Sequence, residues 1–116
     1  MLDFQVDVGG DGSCAVVNVR GELDIATAPQ LVSALEQATQ QSADKVVVNL
    51  LNTSFIDSTG LTTLFRAHKG FEANGNGGFA LVCGPDNVEV RRVIDLMGFN
   101  HVFTIHESLA AAGCGQ

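Results

Sequence analysis

Basic side chains are scarce in this sequence: six Lys and Arg stand against thirteen Asp and Glu, for a net charge of −7. That excludes the clustered cations with which proteins neutralise nucleic-acid phosphates. It equally disfavours direct contact with an anionic membrane surface. A partner with a basic docking face is the easier companion. Long apolar runs are missing as well, since none approaches the ~18 residues of a spanning helix. The N-terminus alternates polar and apolar residues instead of showing a basic stretch followed by an apolar one, so no secretory signal is read. Cysteine is sparse and odd in number. Cys14, Cys83 and Cys114 lie far apart without a CxxC pair. The expectation is neither a disulfide framework nor a structural zinc site, but free thiols in a reducing, cytoplasmic setting. Internal repeats and low-complexity tracts are also absent.

What is present is apolar and branched. Val, Ile, Leu and Phe make up 36 of the 116 residues, too many for a disordered chain and enough for one core. Phe4, Val6 and Val8 alternate with polar residues, which predicts a half-buried strand. After the turn signal Gly9-Gly10-Asp11-Gly12, Cys14 to Arg20 reads as its hairpin partner. The period then changes. Thr27-Ala28-Pro29-Gln30 offers a capping box with Thr27 as N-cap, and Ile25, Ala28, Leu31, Val32, Leu35 and Ala38 form one helical face. The run Lys45 to Leu51 suits a strand covered on both faces. Asp57-Ser58-Thr59-Gly60 opens a second helix with Leu61, Leu64, Phe65 and Phe71 inward, closed by Ala73-Asn74-Gly75.

Phe79 to Cys83 is a fourth strand. Asp86 is placed to cap a third helix carrying Val90, Val93, Ile94 and Met97, with Gly98 as its C′ glycine. Val102 to Ile105 and Glu107 to Ala112 read as a last strand and a last short helix. The prediction is an α/β domain over residues 1–113. An N-terminal β-hairpin is followed by alternating helices and strands that form a mixed, largely parallel sheet. Residues 114–116 are left as a short C-terminal tail.

In such a sheet, ligand and partner sites gather at the carboxyl ends of the strands. Two loops there carry polar residues: Gly21-Glu22-Leu23-Asp24, and Asp57-Ser58-Thr59-Gly60. If their strands are parallel neighbours, Asp24, Asp57 and Ser58 come together across the intervening chain. Ser58 has two readings. It is a helix N-cap, or an exposed hydroxyl that accepts a phosphoryl group beside free helix N–H groups. Asp24 is either a turn carboxylate in its own loop or a partner anchor. Gly60 leaves room for another backbone to approach closely.

These residues resemble a known family. Ser54-Phe55-Ile56-Asp57-Ser58-Thr59-Gly60-Leu61 is closely similar to the signature of STAS domains, in particular the bacterial anti-sigma factor antagonists. Gly21-Glu22-Leu23-Asp24-Ile25-Ala26-Thr27-Ala28 resembles their first conserved segment, and Val88 to Phe99 their third helix and its exit. The resemblance implies a non-enzymatic regulator without a cofactor or metal. It implies an unphosphorylated antagonist that binds an anti-sigma factor and so frees a sigma factor for transcription. The anti-sigma factor would also be a serine kinase that modifies Ser58, not Thr59, and a serine phosphatase would reverse the change. Asp24, Asp57, Ser58, Thr59 and Gly60 would then form the partner-binding set. The chain departs from the family at Asn49, where an aspartate is usual, and in Asn52-Thr53-Ser54, where a glycine often follows.

Rival readings are a STAS subunit of a transport or signalling complex acting as an unphosphorylated docking module, a small-molecule or nucleotide sensor, and a hydrolase built on Ser58, His68 and Asp24. The last lacks the G-x-S-x-G elbow, and His68 falls on an apolar helix face beside Leu64 and Phe65. Gly75-Asn76-Gly77-Gly78 lacks the Lys-Ser/Thr of a phosphate-binding loop. His101 and His106 are read as surface residues, as are the adjacent Arg91 and Arg92, and Cys83 as a small buried hydrophobe.

Overall fold

The computed structural model describes residues 4–10, 13–41, 43–73 and 78–114, with the backbone alone at 72 and 73. The Asp11-Gly12 half of the hairpin turn, the Asn74 to Gly77 loop and residues 115–116 therefore lie outside the described residues. The elements are β1 (Gln5–Gly10), β2 (Cys14–Leu23), α1 (Ala28–Thr39), β3 (Lys45–Ile56), α2 (Ser58–Ala73), β4 (Phe79–Val82), α3 (Val88–Leu96), a 3-10 turn (Phe99–His101) and β5 (Thr104–His106).

The sheet runs in chain order, β1-β2-β3-β4-β5. β1 pairs antiparallel with β2, and every later pair is parallel. Right-handed crossovers that always step the same way along a sheet put every helix on one face. The burial agrees. Val17, Val19, Val48 and Leu81 pack with Leu31 and Leu35 of α1, Leu61 and Leu64 of α2, and Val90 and Ile94 of α3 in one large core. The alternate residues Val16, Val47, Ala80 and Val82 face the other way and form a second, smaller core with Ala112, Cys14 and Cys114. On that second face three polar side chains cross the first strands in register. Asn49 Nδ2 donates to Asn18 Oδ1 at 2.9 Å, and Asn18 Nδ2 donates to Asp7 Oδ1 at 2.9 Å.

Several local expectations are corrected. β2 and β3 run on to Leu23 and Ile56, through segments whose polarity suggests loops. They persist because they pair with each other, Gly21 with Thr53 and Leu23 with Ile56, across two irregularities that break the alternation. The Thr27 capping box does not form. The Thr27 hydroxyl accepts from the Asp24 N–H (2.9 Å) and donates to the Glu22 carbonyl (2.9 Å), which removes it from the helix. Ile25, expected on the buried face of α1, is 74% exposed because it precedes the helix.

Asn87, not Asp86, is the first flanking residue of α3, and Met97 is exposed. The expected last helix is a series of turns from residue 107 to residue 113. A segment that short has little helical stability of its own. Gly98 does take the left-handed conformation of a C′ glycine, with φ 78°.

The cysteines are the largest correction. Cys14 and Cys114 form a disulfide, with Cα atoms 5.6 Å apart across a sequence separation of 100. Spacing in the sequence carries no trace of it, because the fold alone lays the end of the chain beneath the start of β2. Cys114 is therefore buried and not part of a loose tail. Cys83 is free and buried, as expected. Burial pushes its thiol above the ordinary value, Arg91 opposes that rise, and Asp95 adds to it.

Candidate functional site

Parallel pairing of β2 with β3 brings their carboxyl ends together. Leu23 is in register with Ile56, and the Asp57 N–H donates to the Leu23 carbonyl at 3.2 Å. Asp24 and Asp57 therefore each follow a residue of one strand pair. The three residues expected to meet do share one edge of the molecule.

Their roles separate clearly. Asp57 caps α2: its Oδ1 accepts the Gly60 N–H at 2.9 Å, and its carbonyl accepts the Leu61 N–H at 3.0 Å. That arrangement satisfies one of the orphan donors of the helix start. Ser58 is the first helical residue and is exposed. The capping task that competed for its hydroxyl belongs to Asp57. Ser58 Oγ makes no hydrogen bond among the described residues. Thr59 is half-buried, and its carbonyl accepts the Thr63 hydroxyl at 2.9 Å.

Gly60 is buried, and the backbone that approaches it belongs to the same chain. A Cβ there would lie 2.8 Å from Leu23 Cγ and 3.0 Å from the Leu23 carbonyl oxygen. Its lack of a side chain lets α2 start against the end of β2, which is what presents Ser58. Asp24 is half-buried and its carboxylate closes its own loop. Oδ1 accepts the N–H groups of Ala26 (3.0 Å) and Thr27 (3.1 Å). With Glu22 and Asp57 it makes this edge acidic.

Sequence reasoning missed two contributors. Asn87 is a buried polar residue that staples the far side of β3. Its Oδ1 accepts the Gly84 N–H (2.7 Å), and its Nδ2 donates to the carbonyls of Leu50, Leu51 and Thr53. The only signal for it was an Asn in a strand-to-helix loop. The second is exposed apolar surface. Phe55, 43% exposed, pairs in register with Glu22, and Ile25 follows Asp24. Both stand next to motif residues, as anchors of a protein contact do.

The proposed rivals find less. The His68 ring stacks edge-on to Phe79 and Phe103, 5.9 and 5.8 Å between centroids, in the aromatic core. Ten residues of helix, about 15 Å, separate it from Ser58, and Asp24 is occupied by its loop, so the triad does not assemble. No group of three or more potential metal ligands occurs among the described residues. A groove of about 430 Å³ between α1 and α2, and a hollow of about 520 Å³ between Cys83 and α3, include none of the motif residues. Arg91 and Arg92 are exposed and lie beside Asp95 (3.1 Å) and Glu89 (3.7 Å) of their own helix.

A protein-family model described as "STAS domain" matches residues 5–112. The chain belongs to the STAS domain family. The domain is 32% identical over 91 residues to a Staphylococcus epidermidis protein named anti-sigma-B factor antagonist, covering 78% of this chain and 82% of that one. It is 27% identical over 108 residues to an anti-sigma F factor antagonist of Paenibacillus polymyxa, covering 92% and 90%. Among solved structures, an anti-sigma factor antagonist from Mycobacterium paratuberculosis superposes with a TM-score of 0.82 at 30% identity, over 95% of this STAS domain and 91% of that chain. Among the described residues, no helix is long and apolar enough to cross a membrane.

Proposed function

We infer that this STAS domain is an anti-sigma factor antagonist, a non-enzymatic partner switch of the cytoplasm that phosphorylation at Ser58 turns off. The observation that carries the reading is the exposed residue Ser58 at the first position of α2, its hydroxyl relieved of capping by Asp57. The unmodified edge, with Ile25 and Phe55 exposed beside it, binds the anti-sigma factor. That factor, acting as a kinase, transfers the γ-phosphoryl group of ATP to Ser58 Oγ. ADP leaves, and the kinase's own base takes the hydroxyl proton. The product carries about −1.5 to −2 charges. The positive end of α2 tolerates it, so the fold survives. Burial of that dianion against a partner costs several kcal/mol unless a cation pairs it. Each 1.4 kcal/mol weakens binding tenfold. A serine phosphatase resets the switch.

The test is incubation with the cognate anti-sigma kinase and ATP, followed by phosphopeptide mapping. One phosphate on Ser58 is expected, with none on Ser58→Ala. Phosphate on Thr59 instead would overturn the assignment to Ser58, and phosphate on no residue while the complex still forms would favour the unphosphorylated docking module.

A further inference from the structure

We propose that Cys14 and Cys114 form a reversible clasp, a thiol pair that closes or opens with the redox state and so fastens or frees the C-terminal segment 107–114 on the second face of the sheet. Their Cα separation of 5.6 Å is what a disulfide requires. Both cysteines sit in the smaller core with Val16, Val47, Ala80 and Val82, at 1% and 8% exposure. The segment they fasten is turns, not helix. It has another tie, from Lys45 Nζ to the Ala112 carbonyl at 2.7 Å. The reduced form is also provided for. Cys14 Sγ lies 3.7 Å from the Gly113 carbonyl oxygen, and Cys114 Sγ lies 3.9 Å from that of Ala112. Each thiol thus has an acceptor in the same turn. Cys83 belongs to the core on the opposite face of the sheet and cannot compete while the domain is folded.

Closing requires a disulfide oxidant, for which oxidised glutathione serves. The thiolate of Cys114, the outer residue, attacks the small disulfide and releases one glutathione thiolate. The thiolate of Cys14 then displaces the second from the mixed disulfide. The protein loses two electrons and two protons, and two small thiols gain them. Opening is the reverse.

The experiment equilibrates the intact chain in glutathione buffers of varied ratio. Samples are quenched with acid, unfolded and alkylated, the adducts are counted by mass, and the thermal midpoint is measured in parallel. The oxidised form should take one alkyl group, on Cys83, and the reduced form three. Reduction should lower the midpoint by at least about 8 °C, as expected for opening so long a loop, and reoxidation should restore it. The variants Cys114→Ser and Cys14→Ala/Cys114→Ala should show a midpoint indifferent to the buffer. Three alkyl groups at every ratio, a bridge mapped to Cys83, equal midpoints for both forms, or failure to reclose would each overturn the proposal.

Discussion

The two ends of β2 are held in opposite ways. At its start, Cys14 is joined covalently to Cys114, and the neighbouring strand supplies Lys45 to the same segment. At its finish, Leu23 is held by a shared hydrogen bond to Asp57 and by close packing against Gly60. The first end is buried and apolar. The second is acidic, half open and carries an uncovered hydroxyl. The covalent fastening thus lies at the opposite end of β2 from the acidic edge proposed for partner binding. A charge added at Ser58 meets an edge already solvated, and the core on either side of the sheet need not repack.

That contrast can be broken most completely at Ser58. Ser58→Ala should abolish phosphorylation by the anti-sigma kinase, read by mass spectrometry. It should leave the thermal midpoint within about 2 °C, since an exposed side chain with no hydrogen bond among the described residues contributes within about 0.5 kcal/mol. Ser58→Glu should weaken anti-sigma binding by at least tenfold in calorimetric titration, again with little change in midpoint. A collapsed midpoint would make Ser58 a structural residue.

Asn87→Ala comes next in size. It leaves the Gly84 N–H without its partner, along with the carbonyls of Leu50, Leu51 and Thr53. Denaturant unfolding should show a loss of about 3 kcal/mol. Gly60→Ala should cost about 1–3 kcal/mol through overpacking against Leu23, and should also slow phosphorylation, because α2 must shift to admit the methyl group. The smallest effect is expected for Asp57→Ala, about 1 kcal/mol from the lost cap. If Asp57→Ala removed phosphorylation without any loss of stability, its role would be contact with the partner instead.

The fold was readable wherever a period was strong. The apolar run Lys45 to Leu51, the inward faces of α2 and α3, and the alternation of strands with helices all follow from burial on one or both sides. The edge itself was also readable, because parallel strands must end together and the motif residues fall at those ends. Other features depend on partners distant in the chain. Leu23 and Ile56 extend their strands only because each finds the other. Asn87 becomes a staple only when Leu50 and Thr53 lie beside it. Whether Asp57 or Ser58 caps α2 is decided by side-chain geometry at adjacent positions, both of which suit the task. Cys14 and Cys114 are the extreme case, two cysteines at a sequence separation of 100 that the finished fold places in bonding range.

The amide ladder on the second face has a direction built into it. Asp7 at its end only accepts, so Asn18 must turn its nitrogen outward and offer oxygen to Asn49, which answers with its own nitrogen. Orientation is thus handed from strand to strand, and Asn49 spends its remaining oxygen on the Leu51 N–H at 3.0 Å. A carboxylate at position 49 would only accept, so Asn18 would have to turn its nitrogen toward it and its oxygen toward the exposed Asp7. In this chain, asparagine at position 49 is the side chain that completes the ladder from Asp7 through Asn18 to the Leu51 N–H.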